Sequence, residues 1–345
     1  MTADRNGRRF DVAVVGATGI VGEAMFEVLA QRRFPVGTVH ALASERSVGK
    51  RVAFGDKQLK VGLLDSFDFS QVQIALFSAG AKVSAVHAER AAASGCIAID
   101  NTSHFRYDAD VPLVVPEVNP EALAGYKARN IVANPNCSTI QLVVALKPLL
   151  DAAGLERINV ATYQSVSGAG RSAIEELGRQ TAALLNGRPI APKVWPKQIA
   201  FNVIPHIDSF QENGYTREEM KVVWETRKIL GLPDLRVNCT AVRVPVFFGH
   251  SEAVHLETTR KLTAAEARRL LEGAPGVVVV DERAPGGYPT PATEAARQDG
   301  VFVGRIREDL SHERGLDLWV VSDNVRKGAA LNAVQVAELL VKDYL

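Results

Sequence analysis

The stretch of sequence that decides the fold is DVAVVGATGIVG, Asp11–Gly22. Its first part, DVAVV, is a short and mainly apolar run, which is typical of a strand buried on both faces of a parallel sheet. Glycines spaced G-x-x-G-x-x-G follow, and a helical pattern continues from them through IVGEAMFEVLAQRR. This order of strand, glycine turn and helix lets backbone N–H groups at a helix start bind a pyrophosphate. A tight turn that binds no ligand is the alternative.

The pyrophosphate interpretation makes the residues of this turn candidates for contact with a dinucleotide: Gly16, Thr18, Gly19, Ile20, Val21 and Gly22. The second predicted strand, TVHAL, leads into ALASERSVGK. An acid in this place is typical of NAD sites, whereas Ser44, Arg46 and Ser47 suit the 2′-phosphate of NADP, because arginine forms forked bonds to phosphate. Glu45 would bind a ribose hydroxyl or face solvent. The pattern favours NADP over NAD.

The order of strands and helices predicts two domains. Apolar runs at Ile74–Ala79 and Cys96–Asp100, with a helical pattern between them, extend the strand–helix alternation and predict a Rossmann-like, doubly wound parallel sheet. Beyond Cys137, longer alternating strands predict an α+β domain with a mostly antiparallel sheet and helices on one face. The amphipathic C-terminal pattern could close the first domain. The predicted domains are therefore residues 1–136 with 325–345, and residues 137–324.

Composition limits the classes of function. The 37.2 kDa chain has a net charge of +1 and no basic block, which gives no indication of nucleic acid or of an acidic membrane surface. No apolar run reaches the roughly 18 residues of a membrane helix. Three cysteines without a CxxC pattern argue against a disulfide framework and against a metal site, and indicate a cytoplasmic protein. Two Pro-rich segments, residues 187–205 and 282–299, are expected to be functional covers, interface arms or mobile pieces.

One cysteine stands apart, in NPNCSTIQL, Asn134–Leu142. Pro135 ends the preceding extended segment and a helix is predicted to start near Ser138, so Cys137 lies close to a helix N-terminus. Such a position can lower a thiol pKa from about 8.5 to between roughly 3.5 and 7.5, and the same N–H groups could hold an oxyanion. Cys96 and Cys239 have apolar neighbours and are expected to be structural, which is also the alternative for Cys137.

Two further side chains are informative. His250 follows an apolar strand and a glycine turn in FFGHSE, and its ordinary pKa near 6.5 suits proton transfer. Arg243 shares one face of a predicted strand with Val237, Cys239 and Ala241, so its guanidinium needs an anion. A substrate carboxylate and a protein carboxylate are both open possibilities.

A predicted helix in YTREEMKVVWET carries a third set of charges. Thr216 and Glu219 have the spacing of a capping box. Glu218 and Lys221 then lie on one face, either in a site or in a surface ladder that continues to Glu225.

Motifs in order along nearly the whole chain resemble the aspartate-β-semialdehyde dehydrogenase family: GATGIVG, SERS, NTSHFRYD, VPEVN, NPNCSTIQL, QSVSGAGR, EEMKVVWET, VRVPVFFGHSE, VFVGRIRED and DNVRKGAALNAVQ. The resemblance implies that Cys137 is the nucleophile, that His250 is the acid and base that takes the thiol proton, and that Gln164 orients the substrate. It also implies a dimeric or tetrameric enzyme that associates through the second domain.

The resemblance assigns further residues to ligands. Arg243 would bind the substrate carboxylate and Glu218 the substrate amine, while the groups around the phosphate would be Arg106, Lys221 and Asn136. Ser167 and Gly168 would approach the nicotinamide end of the cofactor, and Asn324 its carboxamide. The alternatives are an ordinary loop after Gln164 and a helix cap at Asn324.

The expected function is NADP-dependent reductive dephosphorylation of L-aspartyl 4-phosphate to L-aspartate 4-semialdehyde, through a cysteine thioester, on the pathway to lysine, threonine and methionine. N-acetyl-γ-glutamyl-phosphate reductase usually has glycine before its cysteine and an aromatic residue after it, where this chain has Asn136 and Ser138. Glyceraldehyde-3-phosphate dehydrogenase has Ser-Cys-Thr-Thr, which is absent here. A catalytically silent nucleotide-binding relative is the alternative from another class, although Cys137, Gln164, Arg243 and His250 are all present.

Overall fold

A computed structural model describes residues 7–345 of the chain. They divide into two units, one formed by residues up to Asn136 together with Ala329–Leu345, and the other by Cys137–Gly328. The chain returns to the first unit after Gly328, four residues beyond the predicted boundary at 324. No helix in this described part has the length and apolar character that crossing a membrane requires.

The first unit contains a parallel sheet. Its described strands are β1 (Phe10–Val15), β2 (Val36–Ala43), β3 (Arg51–Phe54), β4 (Lys57–Lys60), β5 (Gly62–Leu63), β6 (Ile74–Phe77), β7 (Ile97–Asp100) and β8 (Ile131–Ala133). Six of them pair in the order β5-β2-β1-β6-β7-β8, and every pair is parallel. The antiparallel hairpin β3–β4 lies outside this sheet and was not predicted. The predicted Rossmann-like sheet is confirmed.

The helices of the described chain are α1 (Ile20–Gln31), α2 (Ala81–Ala93), α3 (Cys137–Ala153), α4 (Arg171–Leu185), α5 (Arg217–Leu230), α6 (Ala264–Glu272) and α7 (Leu331–Asp343). The C-terminal helix α7 packs on α1 within the first unit. Arg32 beside α1 forms two hydrogen bonds, of 2.7 and 2.8 Å, with the Glu338 carboxylate of α7. Asn332 Nδ2 in α7 donates to Val114 O and to Asn134 Oδ1. These bonds hold the last helix to the parallel-sheet unit.

The second unit contains a mixed sheet. Its strands are β9 (Arg157–Gln164), β10 (Arg236–Arg243), β11 (His250–Glu257), β12 (Val277–Val279), β13 (Val301–Glu308) and β14 (Gly315–Ser322), in the order β10-β9-β11-β14-β13-β12. The outer pairs β10–β9 and β12–β13 are parallel, and the three inner pairs are antiparallel. The prediction of a second, mostly antiparallel sheet is therefore confirmed.

The register of the second sheet brings three strand ends together. Arg243 at the end of β10 pairs with Gln164 at the end of β9, and His250 begins the antiparallel strand β11 on the other side of β9. Because side chains alternate between faces, these three side chains point to the same face. Helices α3 and α5 pack against that sheet, so the three polar side chains lie at the edge of a covered, mainly apolar layer.

Candidate active site

The glycine turn of the first unit has the geometry of a dinucleotide-binding loop. Gly16 has φ +88°, and a Cβ on it would lie 2.6 Å from Ser78 O on the neighbouring segment. A Cβ on Gly22 would lie 2.3 Å from Gly16 O, so the close packing of α1 on the turn also needs glycine. Gly19 is the residue before α1, and no side chain caps the N-terminus of this helix. The first N–H groups of α1 have no partner within the helix, and they suit a pyrophosphate.

The segment after β2 lies against this turn. Ser44 precedes a short helical turn, Glu45–Ser47, and Thr18 Oγ1 hydrogen bonds to Ser47 Oγ at 3.2 Å. Ser44 and Arg46 are exposed, and Ser47 is half-buried. The residues expected to hold a 2′-phosphate thus lie beside those expected to hold the pyrophosphate, within the same unit. The two sets together fit a nicotinamide dinucleotide.

Arg106 is buried in the first unit near the carboxyl ends of β7 and β8. Its Nε donates to Asn134 O at 2.9 Å and its Nη2 to Asn101 O at 3.0 Å. The neighbouring Asp100 is fully buried, and burial raises the pKa of its carboxyl against the opposing effect of bonds from Thr102 and Ser84 and of the Arg106 charge. Asn136, the last residue of the first segment of this unit, is also buried. Their roles in phosphate and substrate binding stay predictions.

Cys137 is the first residue of α3, so its thiol lies at a helix N-terminus. All three cysteines are free, but Cys137 is partly exposed while the other two are buried. Burial raises the pKa of Cys96 to about 12, and burial together with nearby carboxylates raises the pKa of Cys239 well above its ordinary value. Both are therefore unreactive thiols at neutral pH. The backbone of Gly328 passes beside Cys137, since a Cβ on Gly328 would lie 2.8 Å from the cysteine Cβ.

Arg243 is buried with a charge that protein groups only partly compensate. Nη1 donates to Ser165 O at 2.7 Å, and Nε has no hydrogen-bond partner among the described residues. Burial lowers the pKa of the guanidinium, whereas the Glu218 carboxylate and Cys137 act in the opposite direction. The Cys137 sulfur is thus within electrostatic range of a buried cation. An orphaned N–H on a buried arginine suits the predicted substrate carboxylate.

His250 lies beside Arg243 and is completely buried. The position that a Cβ would take on Gly168 is 3.2 Å from Arg243 Nη1 and 3.4 Å from His250 Nε2, so this glycine lies against both side chains. Burial, and then the Arg243 charge, lower the pKa of His250 to about 3, with Glu218 and the Gly249 carbonyl acting in the opposite direction. His250 is therefore uncharged at neutral pH.

The hydrogen bonds of His250 favour one tautomer. The backbone N–H of Ser165, which can only donate, bonds to Nδ1 at 3.0 Å. A nitrogen that accepts a bond carries no proton, so the neutral ring carries its proton on Nε2. Nε2 has no hydrogen-bond partner among the described residues. The ring thus presents a donor, which suits an oxyanion, rather than an acceptor for a thiol proton.

Asn324 forms hydrogen bonds with Ser167 and with the backbone of Gly249, the residue before His250. Asn324 Oδ1 accepts from Gly249 N at 3.0 Å, and from the hydroxyls of Ser165 and Ser167 at 3.1 Å. Asn324 Nδ2 also lies 3.0 Å from Ser167 Oγ. The amide oxygen is therefore used within the second unit, and Asn324 has mainly its second Nδ2 hydrogen to offer to a carboxamide. The cofactor contacts of Ser167, Gly168 and Asn324 stay predictions.

Gln164 joins the strand ends to α5. Its Nε2 donates to Glu218 Oε1 and to Thr162 Oγ1, both at 3.2 Å. Glu218 Oε2 accepts from Lys221 Nζ at 3.0 Å, and Lys221 also donates to Asp208 Oδ2 at 2.7 Å. Burial opposes the charge of Lys221, but the two carboxylates outweigh it and raise its pKa. Lys221 is a fixed cation at neutral pH.

The capping box positions this helix as predicted. Thr216 Oγ1 accepts from Glu219 N, and Glu219 Oε2 accepts from Thr216 N at 2.7 Å. The other oxygen of Glu219 accepts from Ala241 N on β10 at 3.0 Å, which ties α5 to the strand of Arg243. The Glu218–Lys221 pair of the alternative ladder does form, but Glu225 is fully buried, so the ladder does not continue along the surface.

Sequence reasoning missed three residues that the tertiary structure brings to this group. Ser165 bonds to both Arg243 and His250. Trp195, in the first Pro-rich segment, lies with its ring 5.2 Å from Arg243 Cζ. Glu252, two residues after His250 on the same strand face, is fully buried beside Gln141 of α3, and burial raises its pKa well above the ordinary value. The sequence offered a signal for two of them, since Glu252 is an acid on an apolar strand face and Trp195 is an aromatic residue in a polar segment.

The predicted residues thus fall into two groups. The second unit brings together Cys137, Gln164, Ser167, Gly168, Glu218, Lys221, Arg243, His250 and Asn324. The first unit carries the glycine turn, the Ser44–Ser47 segment, Arg106 and Asn136.

Two family models match the chain. One, described as semialdehyde dehydrogenase, NAD binding domain, matches residues 11–126, and the other, semialdehyde dehydrogenase, dimerisation domain, matches residues 146–327. The chain is 59% identical over 337 residues to the aspartate-semialdehyde dehydrogenase of Shewanella sp. (strain DB6705), covering 98% of this chain and 99% of that protein.

Solved structures agree with these matches. Aspartate semialdehyde dehydrogenase II from Vibrio cholerae, complexed with ASA, is 58% identical with a TM-score of 0.96, covering 98% of this chain and all of that one. The enzyme from Candida albicans with NADP is 25% identical with a TM-score of 0.76, covering 97% of this chain and 99% of that one. The chain belongs to the aspartate-semialdehyde dehydrogenase family, and it is an oxidoreductase of amino-acid biosynthesis.

Proposed function

We propose that the chain converts L-aspartyl 4-phosphate to L-aspartate 4-semialdehyde and phosphate, with NADPH as reductant and a thioester on Cys137 as intermediate. The observation that carries this proposal is a partly exposed thiol at a helix N-terminus, within electrostatic range of buried Arg243. We assign the reaction to the early shared pathway to lysine, threonine and methionine. A cytoplasmic location fits the requirement for a reduced thiol.

Recognition of the amino-acid end rests on Arg243 and Glu218. The guanidinium binds the α-carboxylate through donors that protein groups leave available, and the Glu218 carboxylate accepts from the substrate amine. Gln164 donates to Glu218, so its amide nitrogen faces that carboxylate and its oxygen faces the other way. Lys221, which stays charged, binds phosphate. Arg106 and Asn136 stay predicted phosphate and substrate ligands.

The first half of the reaction forms the thioester. The Cys137 thiolate is stabilised by the N-terminus of α3 and by the Arg243 charge. It attacks the acyl carbon to form a C–S bond, and the tetrahedral oxyanion then expels the phosphate with the electron pair of the C–O bond. The leaving phosphate takes up one proton from solvent. The neutral His250 donates a hydrogen bond from Nε2 to the oxyanion and does not need to ionise.

The second half releases the aldehyde. NADPH, when bound by the glycine turn and the Ser44–Ser47 segment, would supply the hydride that the thioester carbon needs. The resulting alkoxide is again negative at the oxygen that His250 Nε2 can hold. Its collapse breaks the C–S bond and returns the sulfur to a thiolate, so Cys137 gains no proton over the cycle. Hydrogen-bond donation by His250 is therefore sufficient, in place of the expected removal of the thiol proton.

Coenzyme choice and assembly belong to the same proposal. Ser44, Arg46 and Ser47 favour a 2′-phosphate, and the Candida albicans relative was solved with NADP, so we assign NADPH as the reductant. The chain assembles as a homodimer or homotetramer through the second sheet. Tyr163 and Trp319 support this, because their rings lie 5.5 Å apart on the face of the second sheet opposite Gln164, and Tyr163 is 36% exposed. Adjacent exposed aromatic rings are typical of a surface that binds another protein chain.

Cys137→Ser tests the proposed function. Turnover of semialdehyde, phosphate and NADP⁺, followed as NADPH absorbance at 340 nm, should fall by about 10³-fold or more, since an alcohol is a far weaker nucleophile and leaving group. NADPH binding, measured by fluorescence, should be unchanged. Cys96→Ala is the matched control and should keep its activity, because that thiol is buried and unreactive. Turnover in Cys137→Ser within tenfold of the parent would exclude the thioester route.

A further inference from the structure

Part of the first Pro-rich segment, which the reaction does not use, is fixed to α4 by two buried side chains. This part, residues 193–204, is called the strap. Glu176 of α4 is 1% exposed, and its Oε2 accepts from Lys193 N at 3.0 Å and from Val194 N at 2.8 Å. Gln180, one turn later, accepts with Oε1 from Ile199 N at 2.9 Å and from Ala200 N at 3.2 Å. A buried carboxylate and a buried amide thus replace the regular backbone bonds that the strap lacks.

The strap contacts Arg243 through both its side chain and its backbone. The guanidinium carbon of Arg243 lies 5.2 Å from the centre of the Trp195 ring. Arg243 and Ile204 exchange two backbone hydrogen bonds, of 2.8 and 2.9 Å. Trp195 packs on a buried cluster that contains Ile199 and Leu177. The ring is therefore held between the core of the second unit and the guanidinium.

We propose that Trp195 is a positioning residue for Arg243, and that the strap holds its ring against the guanidinium so that the free N–H donors meet the substrate carboxylate. This inference rests on the proposed function, because it takes Arg243 as the carboxylate-binding group.

The physical reason is the freedom of a long side chain. Arginine loses up to about 2 kcal/mol of rotamer entropy when it is held in one conformation, and that loss reduces affinity if it occurs on binding. A single hydrogen bond, from Nη1 to Ser165 O, still allows the guanidinium to pivot. An aromatic face on one side removes that freedom before the substrate arrives and also attracts the cation. Substrate binding, rather than the chemical step, should therefore depend on the ring.

Trp195→Ala and Trp195→Phe separate the ring from the rest of the residue. The Trp195 Nε1 has no hydrogen-bond partner among the described residues, so phenylalanine keeps an aromatic face and loses no bond there. Trp224→Ala is the matched control, since this indole of α5 is 39% exposed. Glu176→Gln perturbs the strap without touching the ring. KM and kcat are measured at 340 nm with semialdehyde, phosphate and NADP⁺ varied in turn.

The alanine variant should raise KM for semialdehyde by about tenfold, which lies between the values for an exposed and a desolvated cation–π contact, with kcat and KM for phosphate within about twofold. Trp195→Phe should stay within about threefold of the parent. Glu176→Gln should give the same KM effect, and the double variant with Trp195→Ala should be no worse than Trp195→Ala alone. An unchanged KM for semialdehyde in Trp195→Ala, or equal losses for all three substrates, would overturn the proposal.

Arg243→Lys distinguishes this inference from the proposed function. Lysine cannot reproduce the guanidinium fork, so KM for semialdehyde should rise by more than in Trp195→Ala. If Arg243→Lys leaves that KM unchanged, the carboxylate assignment of the proposed function fails. If Arg243→Lys raises KM and Trp195→Ala does not, the assignment stands and the positioning role of Trp195 is refuted.

Discussion

His250 is a side chain through which acidification from pH 7 to pH 4.5 should destabilise the folded chain. Burial and the Arg243 charge lower the pKa of its imidazole from 6.5 to about 3. Below pH 6.5 the His250 imidazole is therefore protonated in the unfolded chain, whereas in the folded chain it stays neutral down to about pH 3. Since the unfolded state holds more protons on this side chain in the window, the stabilising contribution of His250 is full above pH 6.5 and falls as the pH decreases through it.

The expected magnitude follows from the pH interval. Each pH unit between the two pKa values changes the free energy of unfolding by 1.36 kcal/mol, so two units below 6.5 correspond to about 2.7 kcal/mol. At pH 4.5 the folded imidazole is still neutral, so this contribution hardly depends on whether its pKa is 3 or 4. The loss between pH 7 and pH 4.5 should be about 2.5 kcal/mol.

His250→Asn isolates this contribution. The asparagine Oδ1 can accept the Ser165 N–H that Nδ1 accepts in the parent, and its side chain does not titrate. The free energy of unfolding is measured by urea denaturation at pH 7 and pH 4.5, with one protein concentration throughout because assembly affects stability. Burial also lowers the pKa values of His40 and His87, but both are present in each protein and cancel in the difference.

The parent should lose about 2.5 kcal/mol more than His250→Asn between the two pH values. His104→Asn, which removes an exposed histidine, should follow the parent. Equal losses in parent and His250→Asn, within about 0.5 kcal/mol, would mean that His250 titrates alike in both states. The statement that burial and the Arg243 charge keep His250 neutral well below pH 6.5 would then be refuted.

Two further substitutions test other parts of the structure. Arg46→Ala should raise KM for NADPH by about tenfold and leave KM for NADH unchanged, because a charge-assisted bond to the 2′-phosphate is lost; equal changes would remove Arg46 from the coenzyme site. Burial keeps the Glu252 carboxyl protonated well above its ordinary pKa, so its stabilising effect is full below pH 4.5 and is lost as the pH rises. The free energy of unfolding of Glu252→Gln should therefore rise relative to that of the parent by about 1.4 kcal/mol per pH unit above 5, until the folded pKa is reached. Glu272→Gln at the end of α6 is the control and should show no such rise. Urea unfolding at pH 5, 6.5 and 8 measures both variants.

Local sequence patterns predicted those features that depend on neighbours in the chain. The apolar run before Gly16 and the helical pattern after it predicted β1 and α1, because strand burial and helix start are encoded within about a dozen residues. Thr216 and Glu219 were identified as a capping box for the same reason. The alternation along β10 is sufficient to place Arg243 on the covered face, without knowledge of the side chains that it contacts.

Pairings between distant residues could not be predicted in this way. The hydrogen bond from Ser165 to His250 joins residues 85 positions apart, and it decides which ring nitrogen carries the proton. The contact between Trp195 and Arg243 depends on a strap held by α4, and neither segment indicates the other in sequence. The hairpin β3–β4 was missed because its strands are short and outside the main sheet.

Local composition, spacing and ordered motifs were enough to predict the two sheets, the glycine turn, the exceptional cysteine and the family. The charge and tautomer of His250, and the contact of Trp195 with Arg243, follow only from the packing of the folded chain. These properties depend on burial and on the field of neighbouring charges. Both arise only when segments far apart in the chain pack together and exclude water.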